Sequence, residues 1–256
     1  MTGYRDRFSL QGRVCLVTGA SAGIGSELCG LLGEAGADVV AVARNAEGLR
    51  EAGERVRAHG RTCLSLQADL AEASEVVRVA AEAVRQCPAI DVLVNNAGIS
   101  FNRSLEDQTV EEWDRTMAVN LRAPWLMAKA LAPGMIARKA GKIINVSSQT
   151  SEVALPEHGA YTASKSGLNG LTKVMTAEWA RHNIQCNAVC PTVTMTPMGE
   201  RYWSDPSRLA PMLAKIPAGR TARTIEVCDL ILFLASPASD MINGQSVFLD
   251  GGYTAL

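Results

Sequence analysis

Seven short apolar runs rich in Val, Ile and Leu recur along the chain: RVCLVT (13–18), DVVAVA (38–43), CLSLQA (63–68), DVLVNN (91–96), KIINVS (142–147), IQCNAV (184–189) and SVFLDG (246–251). Each is bounded by Gly, Asp, Asn or Pro, the punctuation expected of β-strands. The stretches between them, such as GSELCGLLGEAG, EGLREAGERVRAHG and SEVVRVAAEAVRQC, carry helical periodicity. Nearly unbroken apolar strands imply burial on both faces. A βαβα succession with right-handed crossovers then predicts an α/β fold with one doubly wound parallel sheet. The rhythm fails between about 192 and 224, where PTVTMTPMGERYWSDPSRLAPMLAKIPAGR holds several prolines and aromatics and only short helical patterns. A strand-free connection of this length favours a functional loop or lid.

Composition narrows the class without changing that picture. The 256 residues are 47% hydrophobic and 20% charged, ordinary for a globular protein with a large core. No linker, repeat or low-complexity segment divides the chain, so one domain is expected over 1–256. The net charge of −1 and the absence of Lys/Arg runs argue against a nucleic-acid partner. No apolar stretch approaches a membrane span, and the start MTGYRDRFSLQGR lacks the apolar core of a signal peptide; a cytoplasmic protein is the expectation. The seven cysteines show no CxxC pair or His-rich cluster, so no metal is expected. Cys186 and Cys190 fall four apart on a predicted strand, about 13 Å, too far to bridge.

Two patterns carry chemistry. The first predicted strand runs into TGASAGIG (18–25) and then a helix, with Gly19, Gly23 and Gly25 spaced GxxxGxG. Such a turn is sometimes only a tight strand-to-helix connection, but glycines in this place let backbone N–H groups approach a pyrophosphate at a helix N-terminus. The second pattern is YTASK (161–165). Tyr161 and Lys165 share a helix face at i and i+4, where an ammonium would favour the phenolate and bring the tyrosine toward a useful pKa.

TGxxxGIG, Asp69 after the third strand, NNAG (95–98), Asn120, Ser148 and YxxxK stand in the order found in the short-chain dehydrogenase/reductase family, which the chain resembles from about Gly12 to the closing DGGY. The resemblance implies a Rossmann-type sheet of about seven strands with helices on both faces, a nicotinamide cofactor, and hydride transfer between an alcohol and a carbonyl. By position it implies that Gly19, Ser21, Gly23, Ile24 and Gly25 form the phosphate turn, that Asp69 and Leu70 border the adenine, and that Asn95 and Gly98 border the adenosine ribose. Pro191, Val193, Thr194 and Thr196 would flank the nicotinamide amide, with Thr192 a departure from the usual glycine. Tyr161 would exchange a proton with the substrate oxygen, Lys165 would tune it and bond the nicotinamide ribose, and Ser148 would hold the substrate oxygen. Ser147 is the competing serine, though the thirteen-residue spacing to Tyr161 favours Ser148. Asn120 resembles the family asparagine that kinks a helix and holds a water relaying protons from the lysine.

The remaining expectations concern specificity. After strand two, Ala43 stands where NAD-preferring relatives often carry an acid, and Arg44 follows, suited to a 2′-phosphate. NADP(H) is therefore expected over NAD(H), although Ala22 supplies no second basic residue in the glycine turn. VSSQ (146–149), EHGAY (157–161), PTVTMTPMG, WSDP and MLAKIPAGR resemble the L-xylulose (dicarbonyl) reductases and related carbonyl and polyol enzymes. This implies substrate contacts from Gln149, His158 and Trp203, with a ring nitrogen of His158 bonding a substrate hydroxyl and Trp203 in the lid. The expected substrate is a ketose, polyol or α-dicarbonyl, and the expected assembly a homotetramer through the helices of Asn120 and Tyr161. A β-ketoacyl carrier protein reductase is the alternative enzyme, and a non-catalytic nucleotide sensor or scaffold the alternative of another class.

Overall fold

The computed structural model describes residues 3–87 and 89–255. Its element order is α1 (Tyr4–Phe8), β1 (Val14–Thr18), α2 (Gly23–Glu34), β2 (Asp38–Ala43), α3 (Ala46–Arg57), β3 (Cys63–Gln67), α4 (Ala73–Gln86), β4 (Val92–Asn95), α5 (Val110–Met117), α6 (Ala123–Arg138), β5 (Gly141–Val146), α7 (Gly159–Trp179), β6 (Ile184–Pro191), α8 (Pro197–Trp203), α9 (Pro206–Leu213), α10 (Thr224–Ala235) and β7 (Ser246–Leu249). All seven predicted strands are present, each within two residues of its expected bounds. The segment from 192 to 224 holds α8 and α9, as its short helical patterns indicated.

The strands form one parallel sheet in the order β3-β2-β1-β4-β5-β6-β7. The period-two alternation of side chains sorts the strands between two cores. Cys15 and Val17 of β1 and Val39 and Ala41 of β2 pack with Leu28 and Leu32 of α2 and Val227 and Ile231 of α10. Leu16, Val40 and Val42 face the other way, onto Val79 of α4, Met127 and Leu131 of α6, and Met175 of α7. Both faces are thus covered, which is why the strands carry almost no polar alternation.

Strand order reverses between β1 and β4, and such a switch point opens a crevice at the carboxyl ends of a parallel sheet. Side-chain hydrogen bonds brace this crevice. Thr18 Oγ1 accepts from the N–H groups of Asn96 and Ala97, both at 3.1 Å, while Asn96 Nδ2 donates to the Thr18 carbonyl at 2.9 Å.

Candidate active site

The crevice is a cavity of about 600 Å³. One end is the turn after β1. Gly19 has φ +67°, and a Cβ there would stand 2.8 Å from Ala97 Cα; a Cβ on Gly25 would run into the Gly19 carbonyl oxygen. Bare backbone is therefore required where the turn folds against the start of α2. Gly19, Ser21, Gly23 and Ile24 line the cavity, whereas Gly25 lies behind it and shapes the turn. Arg44 also lines the cavity, with its side chain 58% exposed. Asp69, another lining residue, takes Arg115 at 2.9 Å and Arg44 only at 3.8 Å. Arg115 supplies the closer countercharge, leaving the Arg44 guanidinium weakly engaged.

Leu70, Gly98, Pro191, Val193, Thr194 and Thr196 line the cavity as expected from the sequence. Asn95 does not. Its side chain turns into the sheet and donates to Asn145 Oδ1 at 2.8 Å, and Asn96 holds the place on the cavity wall. The second asparagine of NNAG was the available signal.

The other end gathers residues from four distant segments. Between α5 and α6 the helix widens into a π-turn over Ala118–Arg122, with Ala123 N–H donating to the Ala118 carbonyl. Asn120 sits within it. Its Oδ1 accepts from Ile99 N–H and its Nδ2 donates to the Ile99 carbonyl, each at 2.9 Å, with Ser164 Oγ 3.1 Å from the same nitrogen. The side chain is thereby fully engaged, and it pins the strand that leaves β4. A π-turn at such a place is common at functional sites.

Ser148 follows β5 and lines the cavity beside Tyr161, whose ring carries part of its surface open to the same space. Ser147 is the less available of the two serines, because its hydroxyl donates to the Lys165 carbonyl at 3.2 Å. Lys165, on α7 one turn after Tyr161, is 3% exposed; its Nζ donates to the Val146 carbonyl at 2.7 Å and lies 5.6 Å from the Tyr161 ring centroid. A Cβ on Gly98 would lie 3.5 Å from Lys165 Nζ and 3.6 Å from Asn120 Oδ1, so these three positions converge.

The electrostatics correct one expectation. Burial pushes the Tyr161 phenol up to about 12, only partly opposed by a hydrogen bond with Ser148, and pushes the Lys165 ammonium down to about 8. In the protein alone, desolvation outweighs the predicted help from lysine to tyrosine, because both charged forms are disfavoured in the same packed neighbourhood. Pairs of titratable groups displaced in this way mark chemically active sites.

Toward α8 the cavity wall is polar and aromatic. His158 caps the start of α7 and meets Tyr161 edge-on at 6.1 Å, Tyr202 edge-on at 5.2 Å, and Trp203 in a stack at 6.3 Å. Its Nδ1 lies 2.7 Å from the Pro156 carbonyl and its Nε2 2.9 Å from Asn102 Nδ2. Both ring nitrogens are occupied, so the expected bond from His158 to a substrate hydroxyl is not available in this arrangement. Sequence reasoning missed Asn102, on a loop, and Tyr202, in α8, neither of which belongs to a motif. Ser100 Oγ, Gln149 Oε1, Thr150 Oγ1 and Thr192 Oγ1 are closed off from solvent without a hydrogen-bond partner, on four residues that line the cavity.

This arrangement of glycine turn, π-turn asparagine, serine and Tyr-Lys pair is matched along nearly the whole chain by known proteins. A family model described as enoyl-(acyl carrier protein) reductase matches residues 19–254. The chain belongs to the short-chain dehydrogenase/reductase family. It is a nicotinamide-dependent oxidoreductase that moves hydride between cofactor and a carbonyl or alcohol substrate. Among relatives, the L-xylulose reductase of Bos taurus is 44% identical, covering 96% of this chain and 98% of the relative. The NAD-dependent glycerol dehydrogenase of Listeria innocua is 39% identical over 98% of each chain. Among solved structures, a gluconate 5-dehydrogenase from Burkholderia cenocepacia in complex with NADP and tartrate superimposes with a TM-score of 0.94 at 40% identity, covering 99% of this chain and 100% of that one.

Proposed function

We propose that the enzyme uses NADP(H), with NAD(H) as a weaker alternative, to interconvert a small ketose or α-dicarbonyl and the matching alcohol. The glycine turn fits the cofactor, since Gly19 and Gly25 have no room for a side chain where the turn folds against the start of α2, and Gly19, Ser21, Gly23 and Ile24 line the crevice at that helix N-terminus. Arg44 would hold a 2′-phosphate, there being no acid at Ala43 to repel it. Asp69, Leu70 and Gly98 would border the adenosine half, and Pro191, Val193, Thr194 and Thr196 the nicotinamide half. When bound, the cofactor supplies or accepts the hydride and, in its oxidised form, a positive charge.

Tyr161 Oη holds the proton that a substrate oxygen receives on reduction, and takes it back on oxidation. Its raised pKa suits the donor role near neutrality. Ser148 Oγ accepts from Thr150 N–H at 3.2 Å and its proton is directed to the Tyr161 oxygen, from which it would shift to a substrate oxygen placed beside both hydroxyls. Lys165, whose pKa burial lowers to about 8, stands one turn from Tyr161 and would return a proton to it. The Asn120 side chain is consumed by Ile99 and Ser164, so it would act by holding the backbone around Ile99 in place beside Lys165.

The substrate class is supported by the polar lining around Tyr161, where Ser148, Gln149, Thr150 and Thr192 stand on the cavity wall, and by relatives that act on small polyols and ketoses. A wall of hydrogen-bonding side chains favours ligands whose hydroxyls pair with it and penalises apolar chains. Trp203, in α8 and stacked on His158, would cover the site and exclude water. The test compares NADPH oxidation with diacetyl, L-xylulose and an acetoacetyl thioester. Turnover of either small substrate above the thioester is expected; preference for the thioester would move the assignment to a β-ketoacyl carrier protein reductase.

The same proposal extends to assembly and location. A single domain over 1–256 is supported by one sheet that runs from Val14 to Leu249; residues 1, 2, 88 and 256 lie outside the described residues. A homotetramer is supported by the apolar groove of Met117, Leu121, Trp125 and Leu171 between the helices that flank Asn120 and the helix of Tyr161, together with the exposed Trp125 and Val174. A cytoplasmic location is supported by seven cysteines that are all free, as reducing compartments keep them.

A further inference from the structure

His158 and Asn102 lie 56 residues apart in sequence, yet the structure holds them in one hydrogen-bonded chain. The Pro156 carbonyl can only accept, so the ring nitrogen 2.7 Å away, Nδ1, carries a hydrogen. The ring is packed among Tyr161, Tyr202 and Trp203, and burial holds it neutral despite the nearby Glu157 carboxylate. Nε2 is then a bare lone pair that requires a donor, and the Asn102 carboxamide meets it with its NH₂ group at 2.9 Å. The amide orientation is thereby decided. Its oxygen is the end that has no hydrogen-bond partner among the described residues, on a side chain that lines the cavity.

The backbone around Asn102 is fixed independently. Arg103 N–H donates to the Glu157 carbonyl at 3.1 Å, and Gln108 Nε2 reaches the Phe101 carbonyl. Glu157 adopts φ +63° immediately before His158, a left-handed conformation that a non-glycine residue keeps only where its surroundings impose it. The segment carrying Asn102 and the segment carrying His158 are thus locked side by side before any substrate arrives.

We propose that Asn102 is a substrate-positioning residue whose carboxamide, oriented by His158, presents its oxygen as an acceptor for a hydroxyl next to the reacting carbon. The role of His158 is then to aim Asn102 rather than to touch the substrate with a ring nitrogen. An acceptor-only group selects a hydroxyl and gains nothing from a second carbonyl, which has no hydrogen to donate. The device therefore favours hydroxyketones over α-dicarbonyls, a finer choice within the substrate class proposed above, on which it rests.

The test has two arms. In the first, kcat/KM is measured for L-xylulose and for diacetyl with the unmodified enzyme, Asn102→Leu and the isosteric Asn102→Asp. Asn102→Leu is expected to lower the xylulose-to-diacetyl ratio about tenfold, the loss of one substrate hydrogen bond at a fixed acceptor, whereas Asn102→Asp, which keeps an acceptor oxygen, is expected to retain a preference for xylulose. A ratio unchanged within about threefold in Asn102→Leu would overturn the proposal, even if both substrates slow together. In the second arm, ¹⁵N chemical shifts of the His158 imidazole report its protons without any turnover. A neutral ring protonated at Nδ1 is expected in the unmodified protein, and a doubly protonated ring at neutral pH in Asn102→Asp, whose carboxylate cannot donate to Nε2. A ring protonated at Nε2 in the unmodified protein would reverse the amide and overturn the proposal. If neither substrate is turned over, the substrate class fails while the ¹⁵N arm still decides the orientation of Asn102.

Discussion

Replacing Lys165 with Met would reveal how strongly the fold resists the charge it encloses. The side chain is 3% exposed, its Nζ donates to the Val146 carbonyl at 2.7 Å, and burial lowers its pKa from 10.5 to about 8. The sign follows from proton counts. Between the folded and unfolded pKa values the unfolded chain binds more protons, so stability rises with pH across that window. Below about pH 8 the penalty is present in full, and it is relieved as pH climbs toward the unfolded value. A displacement of this size corresponds to about 3 kcal/mol at about 1.4 kcal/mol per pH unit, of which about 2 kcal/mol is regained between about pH 8 and about pH 10. Met keeps the length of the side chain and does not titrate. Urea unfolding of the cofactor-free protein and of Lys165→Met, measured across that range, gives the comparison. The buried thiols and Tyr161 titrate in both proteins, so the difference between the two curves isolates the lysine. The gap should change by about 2 kcal/mol in favour of the unmodified protein as pH rises. Parallel curves would refute the reasoning and show that Lys165 stays charged in the folded state.

Two further outcomes follow from the same site. Tyr161→Phe should lower turnover by about 100-fold or more while cofactor binding, measured by fluorescence titration, stays nearly constant, because the ring packing survives and only the proton is removed; near-normal turnover in a folded variant would exclude Tyr161 as the acid. Ala43→Asp with Arg44→Ala should erase or reverse a preference for NADPH over NADH in kcat/KM, since a carboxylate repels a 2′-phosphate and accepts a 2′-hydroxyl; equal use of both cofactors by the unmodified enzyme would refute the role given to Arg44.

The fold was legible because the strands are buried on both faces, and nearly continuous apolar runs such as DVVAVA leave few other readings. The order of the glycine turn, Asn120, Ser148, Tyr161 and Lys165 was equally legible, and the structure brings the turn, Ser148, Tyr161 and Lys165 to one crevice, with Asn120 buried behind Gly98. What the sequence could not supply was depth and rotamer. The i, i+4 spacing puts Tyr161 and Lys165 on one face but says nothing of how far that face is desolvated, and desolvation decides the direction of both pKa shifts. A motif likewise names His158 without revealing that its two nitrogens are already taken by Pro156 and Asn102. Asn95 was assigned to the cavity wall because NNAG reads as a unit, yet strand pleating turns neighbours to opposite sides and gives that place to Asn96.

The clip between Thr18 and the Asn96–Ala97 turn has a consequence for the timing of order. Three short hydrogen bonds hold the ends of β1 and β4 together within the protein itself, so the floor of the crevice is rigid before anything enters it. The conformational entropy of arranging that floor is lost once, during folding, and is not lost again in each catalytic cycle. The opposite wall is built differently: α8 and α9, between β6 and α10, meet the rest through side chains, with Tyr202 and Trp203 against His158 and Met212 packed with Val193 and Ile216, beside the isolated bridge of Thr194 with Ala222. A molecule settling on that floor thus meets a wall held by interdigitated side chains rather than by strand hydrogen bonds, so any fitting to its shape falls to rotamers on that side.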